Sequence, residues 1–200
     1  MARRGRFGKY GDFKRKSLLR TQRSLPLRDA KVRMAKGHRP LPKAQYRAIS
    51  PKFSIREASP SEITFIRTLS LKAFQQYGPY EESILAWHAS SSTITLVAFK
   101  GNEPLGFAMI GHSLEGDSGV YELLAIAVVE RWRRRSVGTL LMKLMENKAK
   151  NIGARKVILH TAKDNLAARQ LFRKMGFREI GVKPGFYPAG QDAVMFVKEL

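Results

Sequence analysis

The chain contains no cysteine, which removes disulfides and thiolate-held metals from consideration. Acidic residues are scarce, 16 against 37 Lys and Arg, and the resulting formal charge of +21 points to polyanionic partners. Long apolar runs are also missing. The best of them, residues 123–129, is strand-length and far below the ~20 residues of a membrane span, so no membrane partner is expected. No apolar signal region follows the N-terminal arginines. The four histidines (His38, His88, His112 and His160) lack the spacing of metal ligands, so no metal site is expected. A hydrophobic fraction of 44% nonetheless suffices for a real core.

The charge is unevenly placed. Residues 1–56 carry 18 Lys and Arg against Asp12 and Asp29 alone, a balance of +16, which leaves +5 for the remainder. No apolar period persists through residues 1–51, and Pro26, Pro40, Pro42 and Pro51 punctuate them. The expected division is a basic arm over residues 1–52 and one folded domain over 53–200. Lys and Arg of such an arm neutralise phosphates, and Phe7, Tyr10, Phe13 and Tyr46 offer faces for unpaired bases. RNA is therefore the expected partner, with ribosomal RNA preferred because extended Gly/Arg/Lys arms are common in ribosomal proteins. A cytoplasmic, ribosome-associated protein follows. A mitochondrial presequence stays open as the alternative, since residues 1–25 are Arg-rich and nearly acid-free.

Beyond residue 52 the pattern reads as a mixed α/β domain. A short strand over 53–58 leads to Ser59-Pro60-Ser61-Glu62, a capping box with proline at the first helical position. The helix that follows should turn Ile63, Ile66, Leu69 and Phe74 inward and stop before Gly78-Pro79. A shorter helix over 80–88 precedes strands over 93–100, 106–111 and 120–129. Val137, Leu140, Leu141, Leu144 and Met145 repeat at helical spacing, predicting an amphipathic helix to about residue 151. A strand over 156–161, a helix over 165–175 closed by Gly176, and strands over 177–182 and 193–198 complete a β-α-α-β-β-β-α-β-α-β-β order. That order predicts a mixed, mostly antiparallel sheet with flanking helices rather than a doubly wound one.

The chemistry concentrates where the third strand of the middle group runs into the amphipathic helix. Backbone N–H groups at such a terminus are unpaired and favour an anion. Gly138 permits close approach, and Arg133, Arg134 and Arg135 add forks suited to phosphate oxygens. From physics alone this is an anion or pyrophosphate site, with a basic helix cap or extra RNA-contacting surface as the alternatives.

Ile126-Ala127-Val128 followed by Arg133-Arg134-Arg135-Ser136-Val137-Gly138 resembles the coenzyme A loop of the GNAT N-acetyltransferases, Q/R-x-x-G-x-G/A after an I-A-V strand. The run from Asn165 through Ala168, Leu171 and Phe172 to Gly176-Phe177 is similar to the family's second motif. Gly185-Phe186-Tyr187-Pro188 followed by Asp192-Ala193 resembles the tail of the ribosomal-protein N-terminal acetyltransferase branch. The resemblance implies acetyl-CoA as substrate. Ile126 and Val128 would offer backbone groups to the pantetheine, and Arg133, Arg134, Arg135, Ser136, Val137, Gly138 and Thr139 would cradle the pyrophosphate. Asn165 would bond the pantetheine or adenosine side, with Phe172 beside it.

Three departures accompany the match. Ser136 stands where the family prefers glycine. Phe172 replaces a tyrosine that protonates the leaving thiolate in many members. His160 occupies the position of a catalytic Glu in the ribosomal-protein branch. Glu122 matches the base of the histone-acetylating branch, and plain strand alternation puts it on one face with Leu124, Ile126 and Val128. Tyr187 is the candidate for the missing acid. Two functions follow. One is a ribosome- or RNA-associated protein that binds acetyl-CoA, with turnover open. The other is an active N-acetyltransferase delivering acetyl to a protein N-terminal or lysine amine, with Glu122 or His160 as base. An RNA-base acetyltransferase fits the charge, but no helicase-like domain accompanies it.

Overall fold

The computed structural model describes residues 53–113 and 118–200. The arm expected over residues 1–52, with its RNA contacts, lies outside the described residues. Among the described residues, four α-helices and seven strands follow in chain order: β1 (Ser54–Glu57), α1 (Ile63–Phe74), α2 (Glu81–His88), β2 (Thr93–Lys100), β3 (Glu103–His112), β4 (Val120–Val128), α3 (Val137–Asn151), β5 (Lys156–Ala162), α4 (Leu166–Lys174), β6 (Arg178–Lys183) and β7 (Ala193–Glu199). The strands form one sheet in the order β1-β2-β3-β4-β5-β7-β6. Every neighbouring pair is antiparallel except β4 and β5.

The sheet is buried on both faces. On one, Leu141, Met142 and Met145 of α3 and Phe172 of α4 pack against Ala108, Ile110 and Leu159. On the other, Ile66 and Leu69 of α1 and Ile84 and Trp87 of α2 cover Val97, Phe107 and Met109. Burying such side chains stabilises by roughly 1.5–3 kcal/mol each, and the sheet holds both layers at once. Ile63 departs from the expected inward stripe: it lies in the first turn of α1 and is 41% exposed.

The start of α1 is fixed by its caps. Glu62 accepts from the Ser59 backbone N–H at 2.7 Å, and the Arg56 guanidinium of β1 grips both Glu62 oxygens at 2.9 Å. The Arg56 bonds, then those of Ser59 and Ser61, hold the Glu62 carboxyl well below the usual carboxylate range.

The pairing of β4 explains the gap in the sheet. Its parallel register with β5 runs from Val120↔Lys156 to Leu123↔Leu159 and then ends. On its other edge, Leu123 pairs Ile110 while Ala125 pairs Met109, so Leu124 is one residue extra. A bulge of this kind bends the strand that carries it. Strand β4 therefore leaves β5 just past Leu123, while β5 continues beside β7 to Ala162↔Ala193.

Candidate functional site

The parting of β4 and β5 opens a cleft of about 580 Å³ including its mouth. Phe74, Tyr77, Tyr80 and Ile84 form the wall on the α1–α2 side, and Asn165, Ala168 and Phe172 form the wall from α4. Leu123 to Ile126 and His160 to Ala162 supply the floor, and Tyr187 reaches in from the β6–β7 connection.

Along β4, main-chain groups alternate between its two edges. The Val129 N–H donates to the Leu105 carbonyl of β3 at 2.8 Å, so the groups of Ala127 also face β3. Those of Ile126 and Val128 face the gap. Past β4 the chain makes one 3-10 turn, Glu130–Trp132, and then enters α3 through two left-handed residues, Arg134 (φ 58°) and Ser136 (φ 66°). In residues bearing a Cβ this conformation costs about 1–3 kcal/mol each.

What the strain achieves is orientation. The first α3 bond within the helix is Leu140 N–H to the Ser136 carbonyl at 3.0 Å, and the Ser136 side chain does not cap. The N–H groups of Val137, Gly138 and Thr139 are thereby left for an outside acceptor. A Cβ on Gly138 would meet only Leu171 at 3.4 Å and Val128 at 3.8 Å, so internal packing does not by itself demand glycine there. Arg133 turns back, its Nε donating to the Val128 carbonyl at 3.1 Å. Trp132 braces the loop: Nε1 donates to Glu103 at 3.1 Å, and Arg135 and Lys100 lie over its ring at 5.2 and 4.9 Å. Arg131 also bonds Glu103, and the two donors, Arg131 foremost, lower that carboxyl's pKa. The arrangement is a cationic anion cradle at a helix start.

His160, on the floor, meets Glu122 of β4. Nδ1 of His160 and Oε1 of Glu122 are 3.2 Å apart, with side chains 7% and 12% exposed. The His160 Nε2 is buried without a hydrogen-bond partner among the described residues. Phe186 stacks on the imidazole at 4.5 Å, with 16° between planes. The facing of Glu122 corrects the expectation from simple alternation. Because Leu124 is bulged, Tyr121 and Leu123 pack into the core layer that Ile126 and Val128 join, whereas Ala125 and Ala127 pack into the opposite layer. Glu122 stays on the side of Leu124 but shares it with Ala125 and Ala127, not with Ile126 and Val128.

Three tyrosines close the side of the cleft away from the α3 start. The Tyr187 ring lies 5.0 Å from Tyr77 and 6.0 Å from Tyr80. Burial above all, then the neighbouring tyrosines and the charges of Asp164 and Glu122, pushes the Tyr187 phenol far up, so it keeps its proton. Asn165 caps α4, accepting from the Ala168 N–H at 3.1 Å, and lines the cleft with Tyr77. Phe172 is 3% exposed, packed against Phe177 and Phe196, and has no proton to give. Sequence reasoning missed Tyr77, Tyr80 and the left-handed Arg134; Gly78-Pro79 marked only the end of a helix, not the wall it carries. Among the described residues no group of three or more His, Asp or Glu could hold a metal ion, and no helix is long and apolar enough to cross a membrane.

A cleft between splayed parallel strands, with a cationic helix start at one end and a buried imidazole–carboxylate contact beside its floor, is an arrangement suited to acyl transfer. The chain belongs to the acetyltransferase (GNAT) family, whose model matches residues 61–177. A protein of Methanocaldococcus jannaschii described as an uncharacterized N-acetyltransferase is 26% identical over 149 residues, 72% of this chain and 90% of that one. The chain spans about half the length, 47%, of two archaeal N-alpha-acetyltransferases that it matches over 79 residues. Among solved structures, Arabidopsis thaliana NAA60 in complex with acetyl-CoA superposes with a TM-score of 0.66 at 20% identity, covering 74% of this chain and 99% of that one. The ribosomal-protein-S18-alanine N-acetyltransferase of Escherichia coli gives 0.63 at 17% identity, covering 74% and 93%. These two likenesses concern the fold, which is the one the motifs implied.

Proposed function

We propose that this chain transfers acetyl from acetyl-CoA to a protein amine, with His160 Nε2 as the proton acceptor and Glu122 as its orienting partner. The observation that carries the reading is the dyad itself: a buried imidazole on the floor of the cleft that meets a carboxylate at Nδ1, with Nε2 buried and unpartnered among the described residues. With Nδ1–H donating to Glu122, Nε2 holds a lone pair. The amine nitrogen attacks the thioester carbon, a C–N bond forms, and the C–S bond breaks. The amine proton passes to Nε2, and the imidazolium is balanced by Glu122 before it loses the proton to solvent. The departing thiolate receives a hydrogen bond from the Tyr187 phenol and its proton from water. The Val137, Gly138 and Thr139 N–H groups with Arg133, Arg134, Arg135 and Ser136 hold the pyrophosphate. Ile126 and Val128 bond the pantetheine, and Asn165 and Phe172 flank it.

The basic residues 1–52 take the protein to RNA, ribosomal RNA being the preferred target, which brings a ribosomal protein amine within reach. Their charge and interleaved aromatics support this part of the reading. A second reading, an RNA-associated protein that holds acetyl-CoA without turnover, draws on the phenylalanine at 172.

Mass spectrometry after incubation with labelled acetyl-CoA and ribosomes separates the two. Label on a protein amine that is lost in Glu122→Gln supports transfer. Acetyl-CoA binding with no label transferred leaves the second reading. Co-sedimentation with ribosomes across a salt series, full chain against residues 53–200, tests the arm.

A further inference from the structure

Residues 1–52, with 17 Lys and Arg against Asp12 and Asp29, join the folded domain at Phe53. The antiparallel pairing of Ser54 with Phe99 sets Phe53 at the Lys100 end of β2. There its ring meets that of Trp132 edge-on, 5.9 Å between centroids. Trp132 closes the 3-10 turn ahead of α3, so the basic segment enters the domain at the loop that forms the cradle. Lys100, Arg131, Arg133, Arg134 and Arg135 are all exposed, and Lys100 and Arg135 both lie over the Trp132 ring, at 4.9 and 5.2 Å. The acids of the same two segments, 100–103 and 130–136, are Glu103 and Glu130, so five cations against two carboxylates leave +3. Glu103 is taken up by Arg131 and Trp132, while Arg134 and Arg135 enter no ion pair among the described residues. Exposed cations around a tryptophan, continuous with a basic segment, suit a strand of phosphates and aromatic bases.

Arg135 therefore has two claims on it. It lies over Trp132, beside the point where residues 1–52 join, and it directly precedes Ser136, where the cradle of free N–H groups begins. Two polyanions drawn to so few cations compete for them and repel one another. We infer that RNA bound by residues 1–52 runs on over Lys100, Trp132 and Arg135, and that RNA and acetyl-CoA oppose each other's binding. This rests on the RNA and acetyl-CoA readings above and goes beyond both. The opposition is reciprocal: the factor that acetyl-CoA takes from RNA affinity, RNA takes from acetyl-CoA affinity.

The test uses the full chain and a fluorescently labelled, single-stranded uridine oligonucleotide, with anisotropy as the readout. At low salt the RNA Kd should rise about fivefold on saturation with acetyl-CoA, and the factor should shrink as salt rises. Titration calorimetry should return the same factor for acetyl-CoA with and without the oligonucleotide. Lys100→Gln, outside the cradle, should weaken RNA binding and flatten the slope of log Kd against log salt by about 0.7, the share of one single-strand phosphate contact. An RNA Kd that acetyl-CoA leaves unchanged or lowers overturns the inference and leaves both underlying readings standing. A salt slope that Lys100→Gln does not change overturns the placement of RNA on this loop. If the oligonucleotide does not bind at all, the RNA reading falls; if acetyl-CoA does not bind, the acetyltransferase reading falls. Either result takes the inference with it.

Discussion

The two ends of the cleft are assembled in different ways. The cradle end is one stretch of chain, from Ile126 to Thr139, in which a strand, a 3-10 turn and a helix start follow directly. The acceptor end is drawn from far apart. Gln191 donates to the Gln76 carbonyl at 2.7 Å across 115 residues, Ala189 N–H reaches the Tyr77 carbonyl at 3.3 Å, and Glu122 meets His160 across 38 residues. A local site keeps its geometry through backbone conformation alone. A composite site depends on the packing of everything between its parts. Substitutions at the acceptor end should therefore disturb turnover and stability together, whereas those at the cradle end should separate them.

The largest expected effect tests whether the ends are independent. His160→Ala removes the proposed proton acceptor and should lower kcat by roughly 10²- to 10⁴-fold, the usual size of a general-base contribution. Acetyl-CoA affinity, measured by titration calorimetry, should stay within about twofold, because no cradle group touches the imidazole. A parallel collapse of coenzyme affinity would show that the two ends behave as one unit.

Next in size is Gly78→Ala. Gly78 has φ 127°, and a Cβ there would sit 2.7 Å from the Pro188 side chain. Both strain and collision oppose the change, for a loss of about 1–3 kcal/mol, or roughly 2–12 °C in melting temperature. Because the displaced partner is the turn carrying Tyr187, acceptor KM should rise as well. Unchanged stability would mean the two connections are not seated on one another.

The same contrast governs what could be read from sequence. The helix over residues 137–151, the Ser59–Glu62 capping box and the closing Gly176 were legible because each is fixed by neighbours in the chain. Glu122 and His160 were visible as residue types but not as a pair, since pairing needed the parallel register of β4 with β5. The facing of Glu122 went astray because the bulge at Leu124 has no glycine to announce it. Ile63 fits an apolar stripe, yet in the first turn of α1 it is 41% exposed among the described residues.

A smaller effect isolates the base of the acceptor wall. Glu62→Gln removes the charge that Arg56 grips and weakens the cap of α1, at a cost of about 1 kcal/mol, the typical worth of a cap. The folded-state pKa of Glu62 lies below its unfolded value. Its contribution is therefore present above the unfolded carboxylate pKa of about 4.3 and fades as the pH falls from there towards the folded value. The wild type should exceed the variant in melting temperature at pH 7, and the two should converge as the pH drops below about 4. A constant difference across that range would assign the cost to shape rather than charge.

The smallest change should improve stability. Ser136 holds φ 66° with its hydroxyl making no cap bond, so Ser136→Gly relieves left-handed strain of about 1–2 kcal/mol against a flexibility cost of about 0.5–1 kcal/mol. The net gain of about half a kcal/mol should raise the melting temperature by roughly 1–2 °C. Gly78 (φ 127°, ψ −177°) lies in a region essentially confined to glycine, whereas Ser136 (φ 66°, ψ 3°) is left-handed helical, which a side chain holds at a cost. Gly78 has Pro188 against it and no room for a Cβ, whereas the exposed Ser136 faces the cradle and keeps one at a cost in strain. Should Ser136→Gly gain stability yet weaken acetyl-CoA binding, the hydroxyl is a ligand to the phosphate. If stability rises and affinity holds, the cradle works through its backbone N–H groups and arginines, and the serine is strain that the local geometry tolerates.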